Sequence, residues 1–208
     1  MAKASYFITI EGIEGVGKST NIDAIKIYLE NLDIDYLVTR EPGGTELAEK
    51  IRLLLLDNYT EGISDTTELL LIFAARAQHI EEVIRPALDQ GKWVICDRFT
   101  DATYAYQGGG RGLEREKIAE LESLVQGRLR PDLTIILDLD PATGLARAAK
   151  RGNLDRFEKE ELEFFDRVRE SYLHIAEQEP QRCKVVNAAQ SVADVKQDIL
   201  RILADLGV

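Results

Sequence analysis

Cysteine is scarce in this chain. Two occur in 208 residues, Cys96 and Cys183, and their spacing matches no metal or redox motif, which points to a reducing compartment. Apolar runs of membrane-spanning length are absent. No cationic-then-apolar leader precedes the first strand pattern, so the expected location is the cytoplasm, with no membrane contact. Positive charge is also in deficit. Lys and Arg number 26 against 37 Asp and Glu, a net charge of −11, which argues against a nucleic-acid-binding face. The two histidines, His79 and His174, lie near no nucleophile pattern and receive no catalytic role. Ser/Pro-rich linkers, internal repeats and low-complexity segments are missing, and the length suits one domain over residues 1–208.

Against these absences stands one dense stretch, Gly12-Ile13-Glu14-Gly15-Val16-Gly17-Lys18-Ser19-Thr20. It fits G-x-x-x-x-G-K-[ST], and it lies between an apolar β-branched run (residues 6–10) and a helical pattern (residues 21–32), the context this phosphate-binding loop requires. Glycines let backbone N–H groups turn towards phosphate oxygens, and the helix N-terminus adds partial positive charge. Lys18 supplies a point charge for the β- and γ-phosphates, and the Ser19 hydroxyl suits Mg²⁺. An acidic protein that binds phosphates must gather its arginines locally.

Further strands are predicted at residues 36–39, 93–97, 133–139 and 184–186. Helices are predicted over 46–56, over 66–90 with a bend or stop near Pro86, and over 192–206. Near-continuous apolar strands alternating with helices imply an α/β fold with a parallel sheet covered on both faces. Ligands in such sheets gather at the carboxyl ends of strands, and polar clusters stand there. Arg40-Glu41-Pro42-Gly43-Gly44 follows the second strand and Asp97-Arg98 the third. Asp97 suits a magnesium-holding role near Ser19, with a helix N-cap as the structural alternative, and Asp138 and Asp140 compete for that role. Glu14 would repel phosphate and therefore needs another partner, a sugar hydroxyl or hydrated magnesium. The segment 147–158, with Arg147, Arg151 and Arg156 around a Gly152-Asn153 break, suggests a mobile lid with cationic fingers. Residues 107–112 read as a flexible polar loop or a linker between helices, and Tyr104 and Tyr106 as core aromatics in preference to base contacts.

In order, these pieces resemble the bacterial thymidylate kinase family, over nearly the whole chain. Residues 7–20 are similar to the family's opening. Thr39-Arg40-Glu41-Pro42-Gly43-Gly44-Thr45, Phe73-Ala74-Ala75-Arg76-Ala77, the stretch from Asp97-Arg98-Phe99 to Gln107-Gly108, and Asp155-Arg156-Phe157-Glu158 look like four further family motifs. The resemblance implies a three-layer P-loop nucleotide kinase fold with a five-stranded parallel sheet. It implies ATP-dependent phosphorylation of dTMP to dTDP, with Mg²⁺, in a homodimer whose interface helix lies within residues 66–90. It implies that Gly12 to Thr20 hold the ATP phosphates and that Ser19 and Asp97 hold Mg²⁺. Glu14 would meet the sugar 3′-hydroxyl and Arg98 the dTMP phosphate. Phe73 would stack on thymine and Arg76 bond a thymine carbonyl. Thr103 and Gln107 would lie near the base and its N3 edge, with Glu41 and Arg52 in the same pocket. Gly15 stands where some relatives carry a loop arginine, which makes Arg151 or Arg156 the expected catalytic finger beside Lys18 and Arg98. In relatives the stacking ring and the thymine arginine are often four residues apart; here Phe73 and Arg76 are three apart and Ile72 holds the four-apart position. The rivals are a kinase for another nucleoside monophosphate and a GTP-binding switch. The latter would carry Asn-Lys-x-Asp, a tetrapeptide absent from this sequence.

Overall fold

The computed structural model describes residues 5–150, 152 and 155–207, so Arg151 lies outside the described residues. Five strands, β1 (Phe7–Glu11), β2 (Tyr36–Arg40), β3 (Trp93–Asp97), β4 (Leu133–Asp138) and β5 (Cys183–Asn187), form one sheet in the order β2-β3-β1-β4-β5. Every pairing is parallel, as the apolar strand runs imply. The central β1 is buried along its whole length, whereas the edge strands β2 and β5 are only partly covered.

Alternation along β1 sends its side chains into two separate cores. Ile8 and Ile10 pack with Ile25 and Leu29 of α1 (Lys18–Asn31), Val168 and Ile175 of α8 (Leu162–Gln178), and Ile199 of α9 (Val192–Ala204). Phe7 packs on the opposite face with Val94, Cys96, Phe99, Ile80 and Ile84. Helices therefore cover both faces, giving three layers. The remaining α-helices are α2 (Glu46–Leu56), α3 (Asp65–His79), α4 (Arg85–Asp89), α5 (Thr100–Thr103), α6 (Arg115–Gln126) and α7 (Pro141–Ala149).

Two segments depart from the sequence reading. Residues 66–90 are not one regular helix: a wide π-turn at Ile80–Ile84 lies between α3 and α4 just before Pro86, and the Arg85 N–H reaches back five residues to the Ile80 carbonyl. Proline lacks an N–H and crowds the carbonyl four residues earlier, and a widened turn just before it accommodates both defects. Residues 107–112 are not a free loop. Tyr104–Gly110 forms a second π-helical stretch continuing α5, pressed against α8. A Cβ on Gly109 would stand 2.0 Å from the Ser171 hydroxyl, and one on Gly110 2.4 Å from the Phe164 ring. The glycines are there for close approach between helices.

Candidate active site

The loop between β1 and α1 sits at the carboxyl edge of the sheet. Gly15 has φ +73°, and a Cβ there would stand 2.0 Å from the Gly144 carbonyl of α7. No side chain fits at Gly15 without displacing α7, so a loop arginine is excluded. The same contact docks α7 on the loop, and Arg147, one turn beyond Gly144, lines the phosphate cleft together with Lys18, Ser19, Asp97 and Arg98. The Lys18 ammonium donates to the carbonyls of Ile13 (3.0 Å) and Gly12 (3.3 Å). Burial first, and Arg98 second, hold its pKa below the ordinary lysine value.

The three candidate aspartates differ in their partners. Asp138 is held bidentately by Arg169 at 2.6 and 2.9 Å, and Asp140 caps α7 through the Thr143 N–H. Asp97 Oδ1 is buried and has no hydrogen-bond partner. An orphaned carboxylate oxygen beside Ser19 fits a cation or its water shell.

Arg98 is the junction of the site. Its φ is +69°, in the left-handed region that a non-glycine residue occupies only at a cost. The backbone is pinned there by Arg98 N–H to the Ile10 carbonyl (3.0 Å) and by Phe99 N–H to Glu11 Oε1 (2.7 Å). The guanidinium donates to the Gly12 carbonyl (2.6 Å), to Glu14 Oε1 (2.7 Å) and to the Tyr172 hydroxyl (3.3 Å), and lies over the Tyr106 ring at 4.8 Å. Tyr106 donates to the other Glu14 oxygen at 2.7 Å. Burial pushes the Glu14 pKa up, but Arg98 and Lys18 together with the Tyr106 bond outweigh it and hold the carboxyl below its ordinary value. Glu11 lies beneath, accepting from Tyr172 (2.8 Å) and Phe99 N–H; burial, then Asp101, pushes its pKa up to about 8.

Beside the phosphate cleft opens a more apolar pocket, and Glu14, Glu41, Arg52, Arg98 and Asp155 line both. Arg76, almost fully buried, points into it from α3. Its Nε donates to Glu41 Oε2 (2.6 Å) and its Nη2 to the Phe99 carbonyl (3.1 Å) and Thr103 Oγ1 (3.0 Å). Nη1 is buried without a partner, a donor left for something that enters the pocket. Glu41 is itself oriented by His79, whose Nδ1 lies 2.9 Å from Oε1 while Nε2 lies 2.7 Å from Thr39 Oγ1. Arg52 donates to the Pro42 carbonyl. Gln107 lines the pocket and donates its amide to Glu68.

Phe73 is not at the pocket. Its ring packs with Leu69 and Ile118, and the Arg76 guanidinium lies over it at 4.9 Å. Ile72 lines the pocket instead. On a helix a step of four residues stays nearer to one face than a step of three, so Ile72 and not Phe73 shares the pocket face with Arg76. Phe73 supports Arg76 from behind. Arg156 is paired with Glu68 at 2.6 Å and donates to the Leu55 carbonyl; it does not line the phosphate cleft. Sequence reasoning passed over Glu11, Glu68, His79 and Tyr172, and read Tyr106 as core. The only signal for the first three was a charged or imidazole residue within an otherwise apolar pattern.

The parallel sheet, the glycine loop and the unpaired polar groups at one edge define a P-loop nucleotide kinase fold. A family model described as thymidylate kinase matches residues 10–199. A thymidylate kinase of Pseudomonas syringae pv. tomato is 61% identical over 200 residues, 96% of this chain and 95% of the relative. One of Pseudomonas putida is 60% identical over 197 residues, 95% and 94% of the two chains. The crystal structure of thymidylate kinase from Ehrlichia chaffeensis superposes with a TM-score of 0.78 at 36% identity, covering 96% of this chain and 98% of that one. The chain belongs to the thymidylate kinase family.

Proposed function

We propose that this chain transfers the γ-phosphoryl group of ATP to dTMP, giving dTDP, and so serves nucleotide biosynthesis. The observation that supports it most is the continuity of the two cavities through Arg98 and Glu14: donor phosphates on one side, a pyrimidine on the other. ATP phosphates lie along the N–H groups of Gly12 to Thr20, with Lys18 leaving its loop carbonyls to meet them. Ser19 and Asp97 would hold Mg²⁺, which when bound neutralises phosphate charge. Arg98 takes the acceptor phosphate. Arg76 Nη1 donates to a thymine carbonyl, Gln107 meets the N3 edge, Thr103 and Ile72 bound the base, and Glu14 with Tyr106 faces the sugar. Glu41 and Arg52 complete the wall. The acceptor is already an oxyanion, so transfer needs positioning and charge neutralisation and no strong base.

The same reading makes residues 147–158 a lid, the molecule a homodimer and its compartment the cytoplasm. Among the described residues no helix is long and apolar enough to cross a membrane. A coupled assay with dTMP, dUMP, dCMP and GMP tests the function. Highest kcat/KM for dTMP is expected; equal or higher values for dCMP or GMP would overturn it.

A further inference from the structure

Glu68 is a buried carboxylate on α3, outside the pocket wall, on which four nitrogen atoms from three residues converge. Its Oε1 accepts from the Gln107 amide at 2.7 Å and lies 3.3 Å from Arg111 Nε. Its Oε2 meets Arg156 at 2.6 Å and Arg111 Nη2 at 3.4 Å. Arg111 is held in turn by Glu160 at 2.6 Å. An ionised carboxylate has only acceptors. It therefore admits only the amide nitrogen of Gln107, and the amide oxygen is left for the pocket that Gln107 lines.

We propose that Glu68 is a positioning residue that fixes which end of the Gln107 amide reads the base. With oxygen outward, Gln107 accepts from a pyrimidine with hydrogen on N3, as in thymine or uracil. It opposes one whose N3 is an acceptor, as in cytosine. Arg76 Nη1, an orphaned donor on a second residue that lines the pocket, favours a 4-oxo group over a 4-amino group. The two groups read one edge, and Glu68 sets the sign of half of the reading. Because Arg156 and Arg111 share the carboxylate, the reader is also joined to the segment that carries Asp155 and Glu160. The inference rests on the proposed base pocket and adds a residue that never touches the nucleotide.

Glu68→Gln tests it. Arg156 at 2.6 Å from Oε2 outweighs the 3.3 Å contact of Arg111 Nε with Oε1, so the new amide keeps its oxygen towards Arg156 and presents its nitrogen to Gln107. Gln107 then turns over and offers its own nitrogen to the base. The expected result is that the ratio of kcat/KM for dTMP over dCMP falls at least about tenfold, because a hydrogen-bonding site rejects a mismatched edge through its buried groups. In a Gln107→Met background the same substitution should leave the ratio unchanged, since the effect passes through that amide. Equal losses on both substrates would mark Glu68 as merely structural and overturn the proposal. If the wild type itself does not prefer dTMP, the pocket assignment fails and not Glu68 alone. Should Glu68→Gln not fold, NMR of the wild type decides. The Gln107 side-chain NH₂ should be protected from solvent exchange before dTMP is added, and exchange at the free-amide rate would overturn the proposal.

Discussion

At the scale of single residues, the pocket is built by side chains that hold other side chains. Arg76 is the example: Glu41, Thr103 and the Phe99 carbonyl take three of its donor directions, and two rings flank it at 4.9 and 5.1 Å. What remains is one nitrogen, Nη1, with both of its N–H groups unpaired. Ile72 and Phe73 then have separable roles. Ile72→Ala should raise KM for dTMP several-fold while KM for ATP holds, measured by steady-state kinetics; an unchanged dTMP KM would remove Ile72 from the pocket. Phe73→Ala should instead cost about 3–5 kcal/mol of stability, read by denaturant unfolding.

Glu11 gives a residue-scale prediction in pH. Its folded pKa is raised from 4.5 to about 8, by burial and then by Asp101. The folded chain thus keeps a proton that the unfolded chain gives up. The contribution to stability is intact below about pH 4.5 and is lost as pH rises through about 8, with a slope of up to about 1.4 kcal/mol per pH unit between. Glu11→Gln can still accept from Phe99 N–H and pair with Tyr172. It should flatten the fall of Tm across that window. A variant whose Tm falls with pH as steeply as the wild type would show that Glu11 is ionised in the native state.

At the scale of elements, α7 has a position that its sequence did not advertise. Asp140 caps it, Gly144 lets it touch the phosphate loop, and Arg147 reaches the cleft one turn later. Arg156 spends its charge on Glu68. Arg147→Ala should therefore lower kcat about 10³-fold or more, as loss of an arginine finger does, with dTMP affinity by calorimetry unchanged. Arg156→Ala should lower kcat less. Wild-type kcat in Arg147→Ala would return the role to the lid residues 151 and 156. Gly15→Arg should not restore a finger variant, because the added side chain meets α7 backbone.

The elements themselves were largely legible. β3 and α2 fall at the expected residues, because apolar runs and capping signals act locally. The π-turns were not, since a one-residue widening leaves the apolar pattern intact and is set by Pro86 and by contact with α8. The phosphate loop could be read because its chemistry is contiguous. Glu68 and His79 could not, because their partners lie 38 or more residues away in sequence and nothing local distinguishes them from solvated side chains.

At the scale of the whole molecule, α3 has two faces with different duties. One buries Glu68, Ile72, Arg76 and His79 behind the pocket. The other leaves Leu70 52% exposed, and α2 beside it leaves Leu47 50% and Leu54 49% exposed. Half-exposed leucines on two neighbouring helices leave apolar surface in water, and covering such surface is favourable at about 25 cal/mol per Å². A two-fold dimer covers such a patch with its own copy. The pair α2–α3 would then be clamped from outside while its inner face forms the pocket wall, so assembly and base binding would be coupled through one helix. Leu54→Glu with Leu70→Glu should convert a dimer to a monomer by analytical ultracentrifugation. It should also raise KM for dTMP more than KM for ATP, because Ile72 and Arg76 of α3 line the pocket proposed for the base and no residue of α3 lines the phosphate cleft. A wild-type chain that sediments as a monomer at micromolar concentration would sink the dimer. A double variant that becomes monomeric yet keeps both KM values would leave the dimer standing and break its link to the pocket.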